Sequence, residues 1–519
     1  MKKELILYND LSLPNNGAYM HKTAITESYS GKHISYKQLH NLIERTAIAL
    51  RTRFGLKEND LIMVVSHKRI EDVILFYAAT TAGLAYVPAD PKLGKDKFAY
   101  LVEKVEPKVM FDTRQREGAV LVEFHNDNLY FDGQPLEDFS DITVEYTAAD
   151  AEAPAYIIYT SGSGGAPKGV QMPRCAPRLF AQHLDTYNYV NDQTVYISVC
   201  PFYFDATIVD LYVVLPKFGQ LILTPDIVFP ADMLEPMEKY KVTDGFWVPS
   251  MFKIMLSKYS DIDSRDLSSI KMFWFGGEYC PFPLWKQLSE KVPGKKYLNV
   301  YGPTEITHSC VLHHFDDNYD FSAIEEIPLG TPSYGTRVYI LNEDLEEVKC
   351  GETGELYVES KTMMLGYYKD EERSKRSMVN IPSISPYTLY KTGDLVLHTE
   401  KNEYFFRGRI DDLVKVGGVL ISLNEIEKVM MNSGMVAECV MADITMPGAT
   451  SNALVAFVRP AANYNQQELM KYLRANLEPA KIPRYFELSS EVFPITRNGK
   501  VNRNLLTEQL IQKQEQPAS

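Results

Sequence analysis

Between Ser35 and Phe111 the hydrophobic period of the chain changes repeatedly, and that alternation limits the folds open to it. Ser35 and Gln38 have the spacing of a capping box, after which Leu39, Leu42, Ile43, Thr46, Ala47 and Leu50 fall on one helical face. Leu61 to Val65 reads as a buried strand, residues 70–82 as a second helix, and Ala85 to Val87 as a strand closed by Pro88 and Pro91. Lys108 to Phe111 reads as a further short strand. Strands alternating with helices predict an α/β class: a mostly parallel sheet packed with helices.

A chain of 519 residues exceeds what one core organises, so two or more domains are expected. With 45% hydrophobic and 24% charged residues, the composition is globular and supplies a large core. The net charge of −14 argues against a broad nucleic-acid surface, and no nucleic-acid partner is expected. The N-terminus has only a three-residue apolar run before Tyr8, too short for a signal peptide, so a cytoplasmic location is expected. The longest apolar stretch, Val73 to Val87, is interrupted by Thr80, Thr81 and Gly83, which fits a buried helix and strand and predicts no membrane span. The six cysteines, Cys175, Cys200, Cys280, Cys310, Cys350 and Cys439, have neither zinc-ligand nor disulfide-framework spacing.

At Tyr156 to Val170 an apolar strand breaks into Thr160, Ser161, Gly162, Ser163, Gly164 and Gly165, followed by Lys168. Small residues leave backbone N–H groups unobstructed, and with hydroxyls and one ammonium they form a cradle for polyphosphate oxygens. Composition alone fits a flexible linker equally well. The Walker spacing is absent, and Pro167 would not suit the helix that follows such a loop. Downstream, Asp205 stands among aromatic and apolar residues in PFYFDATIVDL, either as a helix N-cap or as a buried anion awaiting a cationic ligand group. Gly245 to Met251 and Met272 to Tyr279 read as buried strands ending in turns. In NVYGPTE, Thr304 and Glu305 are oxygens that a hard cation such as Mg²⁺ could use beside phosphate and water.

Taken in order, these stretches resemble the ANL adenylate-forming superfamily, and among its members the amino-acid-activating adenylation domains and stand-alone D-alanine:carrier-protein ligases. The resemblance rests on the YTSGS–PKG loop, Phe204-Asp205, Tyr301-Gly302-Pro303-Thr304-Glu305, Tyr390-Lys391-Thr392-Gly393-Asp394-Leu395, Gly408-Arg409-Ile410-Asp411-Asp412 and Asn498-Gly499-Lys500. AGLAYVPADP, Ala82 to Pro91, extends it toward the N-terminus. Gly164 departs from the pattern, standing where the family usually has threonine and removing one hydroxyl contact to phosphate.

The resemblance implies a large N-terminal AMP-binding domain, residues 1–410, and a small mobile α+β C-terminal domain, residues 411–519, swivelling at Asp411. It implies that ATP binds with its phosphates at Thr160 to Gly165 and Lys168, its adenine beside Gly277, Glu278 and Tyr301, and its ribose on Asp394 and Arg409. Asn299 and Gly302 complete the nucleotide-binding set, and Thr304 and Glu305 organise Mg²⁺. Lys500 would offset charge between the substrate carboxylate and the α-phosphate during adenylation. Lys415, beside Gly417 and Gly418, would serve the second half-reaction, thiol attack on the adenylate.

By the same resemblance Asp205 holds the α-ammonium of an amino acid, in a pocket lined by Ala206, Val209, Trp247, Trp274, Gly276, Val300, His308 and Ser309. Two tryptophans predict a shallow pocket and a small side chain. Polar His308 and Ser309 leave serine and threonine open beside alanine. The chain ends nineteen residues after Lys500, so the expected acceptor is the phosphopantetheine thiol of a separate carrier protein. Coenzyme A as acceptor is the alternative. A non-catalytic nucleotide-binding protein on the same fold is the reading of another class, and retention of Lys500, Asp394 and Glu305 argues against it.

Overall fold

A computed structural model of the chain describes residues 3–114, 116–160, 167–225, 229–315, 324, 326–410, 413–416, 419–445, 452–494 and 501–515. The capping box forms as expected: Ser35 and Gln38 satisfy each other's backbone at the start of the helix Tyr36–Thr52. Every residue of the helix Ile70–Thr81 is buried, Glu71 and Asp72 in its first turn included, which explains why the run from Val73 to Ala79 is apolar rather than striped. The strand after it, Ala85–Ala89, is also wholly buried.

Among the described residues two nine-stranded sheets make up most of the chain before residue 335. In the first, Pro154–Thr160 lies between Ala85–Ala89, its parallel neighbour, and Lys168–Pro173, its antiparallel one. In the second, Gln220–Leu223, Val195–Ser198, Asp244–Trp247, Met272–Gly276 and Lys296–Tyr301 run parallel in that spatial order. A third sheet is antiparallel, built from Thr336–Leu341, Thr353–Ser360 and Leu389–His398, with Tyr404–Arg409 paired to the last. This antiparallel layer lay outside what the early alternation predicts, because its strands pair antiparallel and only one short helix, Glu371–Ser377, falls among them.

From Ile421 onward, buried residues form cores of their own around the sheet of Val436–Thr445, Asn452–Pro460 and Tyr485–Leu488, covered by Leu423–Asn432, Gln466–Asn476 and Arg503–Glu515. Ser422 caps the first of these helices by accepting from the Glu425 N–H, as its spacing predicts. Against the other part of the chain, the Lys428 ammonium pairs with Glu326, whose carboxylate also holds Arg407 at 2.9 Å. No helix among the described residues is long and apolar enough to cross a membrane.

Candidate active site

The carboxyl ends of the parallel strands converge on one region, where open α/β sheets place their ligands because successive loops splay apart there. Thr160 ends a strand of the first sheet, while Gly276 and Tyr301 end adjacent strands of the second. Lys168 begins the strand that returns from the glycine-rich loop, and its Nζ lies 2.6 Å from Glu305 Oε1, joining the two sheets. The Tyr367 hydroxyl donates to the same oxygen at 2.6 Å and lies 3.2 Å from the ammonium. Burial works against the charge on Glu305, but the Lys168 ammonium and the Tyr367 hydroxyl outweigh it and hold the carboxyl below its ordinary range. The Lys168 ammonium is correspondingly held above its own ordinary value, although burial opposes it. The ionised carboxylate is the kind of oxygen ligand a hard cation takes, and the neighbouring ammonium suits the phosphate oxygens such a cation would share.

Asp394 is held by Tyr301, whose hydroxyl donates to it, and by Arg409, whose Nη1 is 2.6 Å from Oδ1. Its own N–H donates to Thr392 Oγ1 at 3.0 Å, and Arg409 reaches the Thr392 carbonyl at 3.2 Å. Both residues assigned to the ribose therefore meet, with the aromatic residue assigned to adenine against them. Gly277 has φ of +76°, a conformation open to glycine at low cost, in the turn leaving the strand. The Glu278 carboxylate accepts from the Ser250 N–H at 3.0 Å and so satisfies an orphan donor at the start of the helix Pro249–Met255. Asn299 gives its amide to the Pro328 carbonyl at 2.7 Å. Thr160 Oγ1 is buried and has no hydrogen-bond partner among the described residues.

Asp205 is not an N-cap. Phe204 holds that position, and Asp205 opens a short 3-10 turn, Asp205–Thr207, which continues into a π-helical turn, Asp210–Val214. Burial pushes the Asp205 carboxyl up to about 6; the Thr304 hydroxyl donates to it and pulls the value down, and the Glu305 charge pushes it up again. The Thr304 hydroxyl thus serves Asp205, and it connects the expected substrate carboxylate to the expected metal ligand one residue on. No cationic side chain among the described residues pairs with Asp205.

Strand register divides the residues expected to line the pocket. Phe246 pairs with Trp274, and Gly276 with Val300, so these four side-chain positions share one face of the sheet. A Cβ on Gly276 would lie 1.9 Å from the Val300 carbonyl oxygen, so only glycine fits there. His308, at φ of +72°, packs against Phe246 and Phe180 at 5.0 and 5.7 Å between ring centroids. Burial lowers the imidazole to about 4, leaving it neutral, and its Nε2 has no partner among the described residues. Ala206, Val209 and Ser309 are buried nearby in sequence on the same segments. Trp247 is the exception. It lies on the opposite face, 4.8 Å from the Phe273 ring, because residues adjacent on a strand point to opposite sides. Phe246 occupies the place that the sequence reading assigns to it.

Tyr367 and Ser250 were not foreseen. Tyr367 is 199 residues from Lys168 and reaches it only because Gly366–Tyr367 pairs with Lys168–Pro173, a contact with no local signature. Ser161, Gly162, Ser163, Gly164, Gly165, Asp411, Gly417, Gly418 and Lys500 lie outside the described residues, as does the side chain of Lys415.

A family model described as AMP-binding enzyme matches residues 15–368, and one described as AMP-binding enzyme C-terminal domain matches residues 425–500. Surfactin synthase subunit 3 of Bacillus subtilis (strain 168) is 30% identical over 486 residues, 92% of this chain and 37% of that protein. The chain spans still less, 9%, of bacitracin synthase 1 of Bacillus licheniformis, to which it is 28% identical over 482 residues covering 92% of this chain. D-alanine–D-alanyl carrier protein ligase of Bacillus licheniformis is 28% identical over 489 residues, which cover 92% of this chain and 94% of that one. ATP-bound MatB from Rhodopseudomonas palustris superposes with a TM-score of 0.80 at 22% identity, over 95% of this chain and 97% of its own. Klebsiella oxytoca NpsA in complex with 3-hydroxyanthranilyl-AMSN gives 0.79 at 18%, over 95% and 97%. The two superpositions share the fold.

Proposed function

The chain belongs to the AMP-binding enzymes, within the ANL adenylate-forming superfamily, and on that premise we propose that it activates a small amino acid with ATP and passes it to the phosphopantetheine thiol of a separate carrier protein. The observation that carries the amino-acid reading is Asp205: a carboxylate set in protein, tied to Thr304, with no cationic partner among the described residues. An α-ammonium would supply that partner, and would return the carboxyl to its charged form.

In the first half-reaction a substrate carboxylate oxygen bonds to the α-phosphorus of ATP as the bond to pyrophosphate breaks, so charge moves onto the leaving group. Lys168 and the loop from Thr160 to Gly165 would hold the phosphates, Tyr301 with Gly277 and Glu278 the adenine, and Asp394 with Arg409 the ribose. Glu305 would hold Mg²⁺, which when bound neutralises phosphate charge. Lys500 would bring its ammonium to the two anions as they approach, and no protein nucleophile is needed. In the second half-reaction the thiol sulfur attacks the acyl carbon and AMP leaves, with the face around Lys415, Gly417 and Gly418 turned to the site. The carrier-protein acceptor is supported by the likeness to D-alanine–D-alanyl carrier protein ligase over nearly the whole length of both chains.

Lys500→Ala tests the chemical step. Exchange of pyrophosphate into ATP, driven by the best amino acid, should fall roughly 10²-fold or more, as for other groups acting on transition-state charge, while ATP binding persists. Exchange within threefold of the unsubstituted enzyme would remove Lys500 from the mechanism.

A further inference from the structure

A lysine following a strand is ordinarily solvated. Lys68 instead is 5% exposed, just beyond the strand Leu61–Val65, and its φ of +57° is a left-handed conformation that a side-chain-bearing residue adopts at a cost. Its ammonium crosses from the first sheet to the second, donating to the Val199 carbonyl and to Thr224 Oγ1, both at 2.9 Å. Those acceptors stand just past the ends of the adjacent parallel strands Val195–Ser198 and Gln220–Leu223, and Thr224 in turn donates to the Ser198 carbonyl at 3.1 Å. The Lys68 charge also acts on Asp210, a buried carboxyl that burial pushes up to about 7 against the pull of the Ser198 hydroxyl and of Lys68. Asp210 begins the π-helical turn five residues after Asp205, a separation of roughly 7.5 Å along a helix axis. Such turns are rare, and recur at functional sites. The buried Cys200 thiol, pushed up to about 12 chiefly by burial, lies in the chain between Val199 and Asp205, and the charges of Asp210, Lys68, Asp205 and Glu278 all act on it.

A buried ammonium contributes little net stability, since the cost of desolvating it offsets what its partners return. What one ammonium with acceptors on separate chain segments does provide is a fixed geometry. We infer that Lys68 is a positioning residue for the amino-acid site: it ties the first sheet to Val199, at the end of the strand from which the chain runs on to Asp205, and so sets where that carboxylate meets the substrate ammonium. The inference rests on the amino-acid reading given above.

Steady-state pyrophosphate exchange tests it with three variants. Lys68→Met should raise the KM for the amino acid at least tenfold while kcat and the KM for ATP stay within about twofold. Lys68→Arg, which keeps the charge, should restore most of the loss. Lys68→Met/Asp210→Leu removes both buried charges and guards against misfolding, and should still show the raised amino-acid KM. If the folded double variant has an unchanged amino-acid KM and only a lower melting temperature, Lys68 is structural and the inference falls. Failure of the underlying reading looks different: the unsubstituted enzyme would then use the des-amino acid as well as the amino acid, and both would fall together.

Discussion

At Asp205 a single carboxyl carries two opposed consequences of burial. Its value of about 6, against an ordinary 3.8, means the folded protein binds a proton more tightly than the unfolded chain does. Stability from this group is therefore lost as pH rises through that window, and the penalty is complete above about pH 6. Asp205→Asn should raise the melting temperature more at pH 8 than at pH 5. In the proposed function amino-acid use has the opposite sign, because the ammonium needs the ionised form. We expect kcat/KM for the amino acid to fall as pH drops through about 6, and Asp205→Asn to lower it roughly 10²-fold, the scale of a few kcal/mol for an unpaired buried charge, leaving ATP affinity nearly unchanged. A flat profile between pH 5 and 7 in the unsubstituted enzyme would contradict this role. Asp205 was legible in the sequence because a carboxylate among aromatic residues is anomalous. Its bond to Thr304 was not, since a hydroxyl's choice between metal and neighbour depends on distance.

Strands and hinges raise a different question, that of register. The composition of GFWVPSM marks Phe246 and Trp247 equally as buried aromatics, and only pairing with Trp274 decides which of them faces His308. Phe246→Ala should therefore change the ranking of amino-acid substrates in the exchange assay. Trp247→Phe should lower stability and leave that ranking intact; a changed ranking in the second variant would place Trp247 in the pocket after all. The helix Ile70–Thr81 shows the converse, a segment whose burial was plain because no polar residue breaks its run from Val73 to Ala79. For the connection between the two parts of the chain, Asp411→Pro fixes φ near −65° and removes an N–H. It should preserve pyrophosphate exchange while blocking transfer to a carrier thiol, measured as the ratio of the two rates. A folded variant that loads its carrier at the normal rate would show that the pivot is elsewhere.

Across the whole molecule, local periodicity was enough to announce parallel sheets, and ordered motifs over residues 156–503 were enough to announce the family. Neither could show how two sheets are joined, because that depends on pairs far apart in the chain: Lys168 with Glu305, Lys168 with Tyr367, and Lys68 with Val199 and Thr224. The antiparallel layer before residue 410 escaped for the same reason, since its strands pair antiparallel across the short helix Glu371–Ser377 rather than in the parallel pattern that strand and helix alternation predicts. In the proposed function these long-range pairs would set a nucleotide site and an anionic clamp side by side, for joining an amino acid to AMP. The most direct measurement of that claim is ATP–pyrophosphate exchange across a panel of L- and D-amino acids together with their des-amino counterparts. The account predicts exchange with one or a few small amino acids, alanine, serine and threonine among the candidates, and at least tenfold less with the matching acid that lacks the ammonium. Exchange driven equally well by the des-amino acid, or by fatty or aryl acids in place of any amino acid, would contradict it.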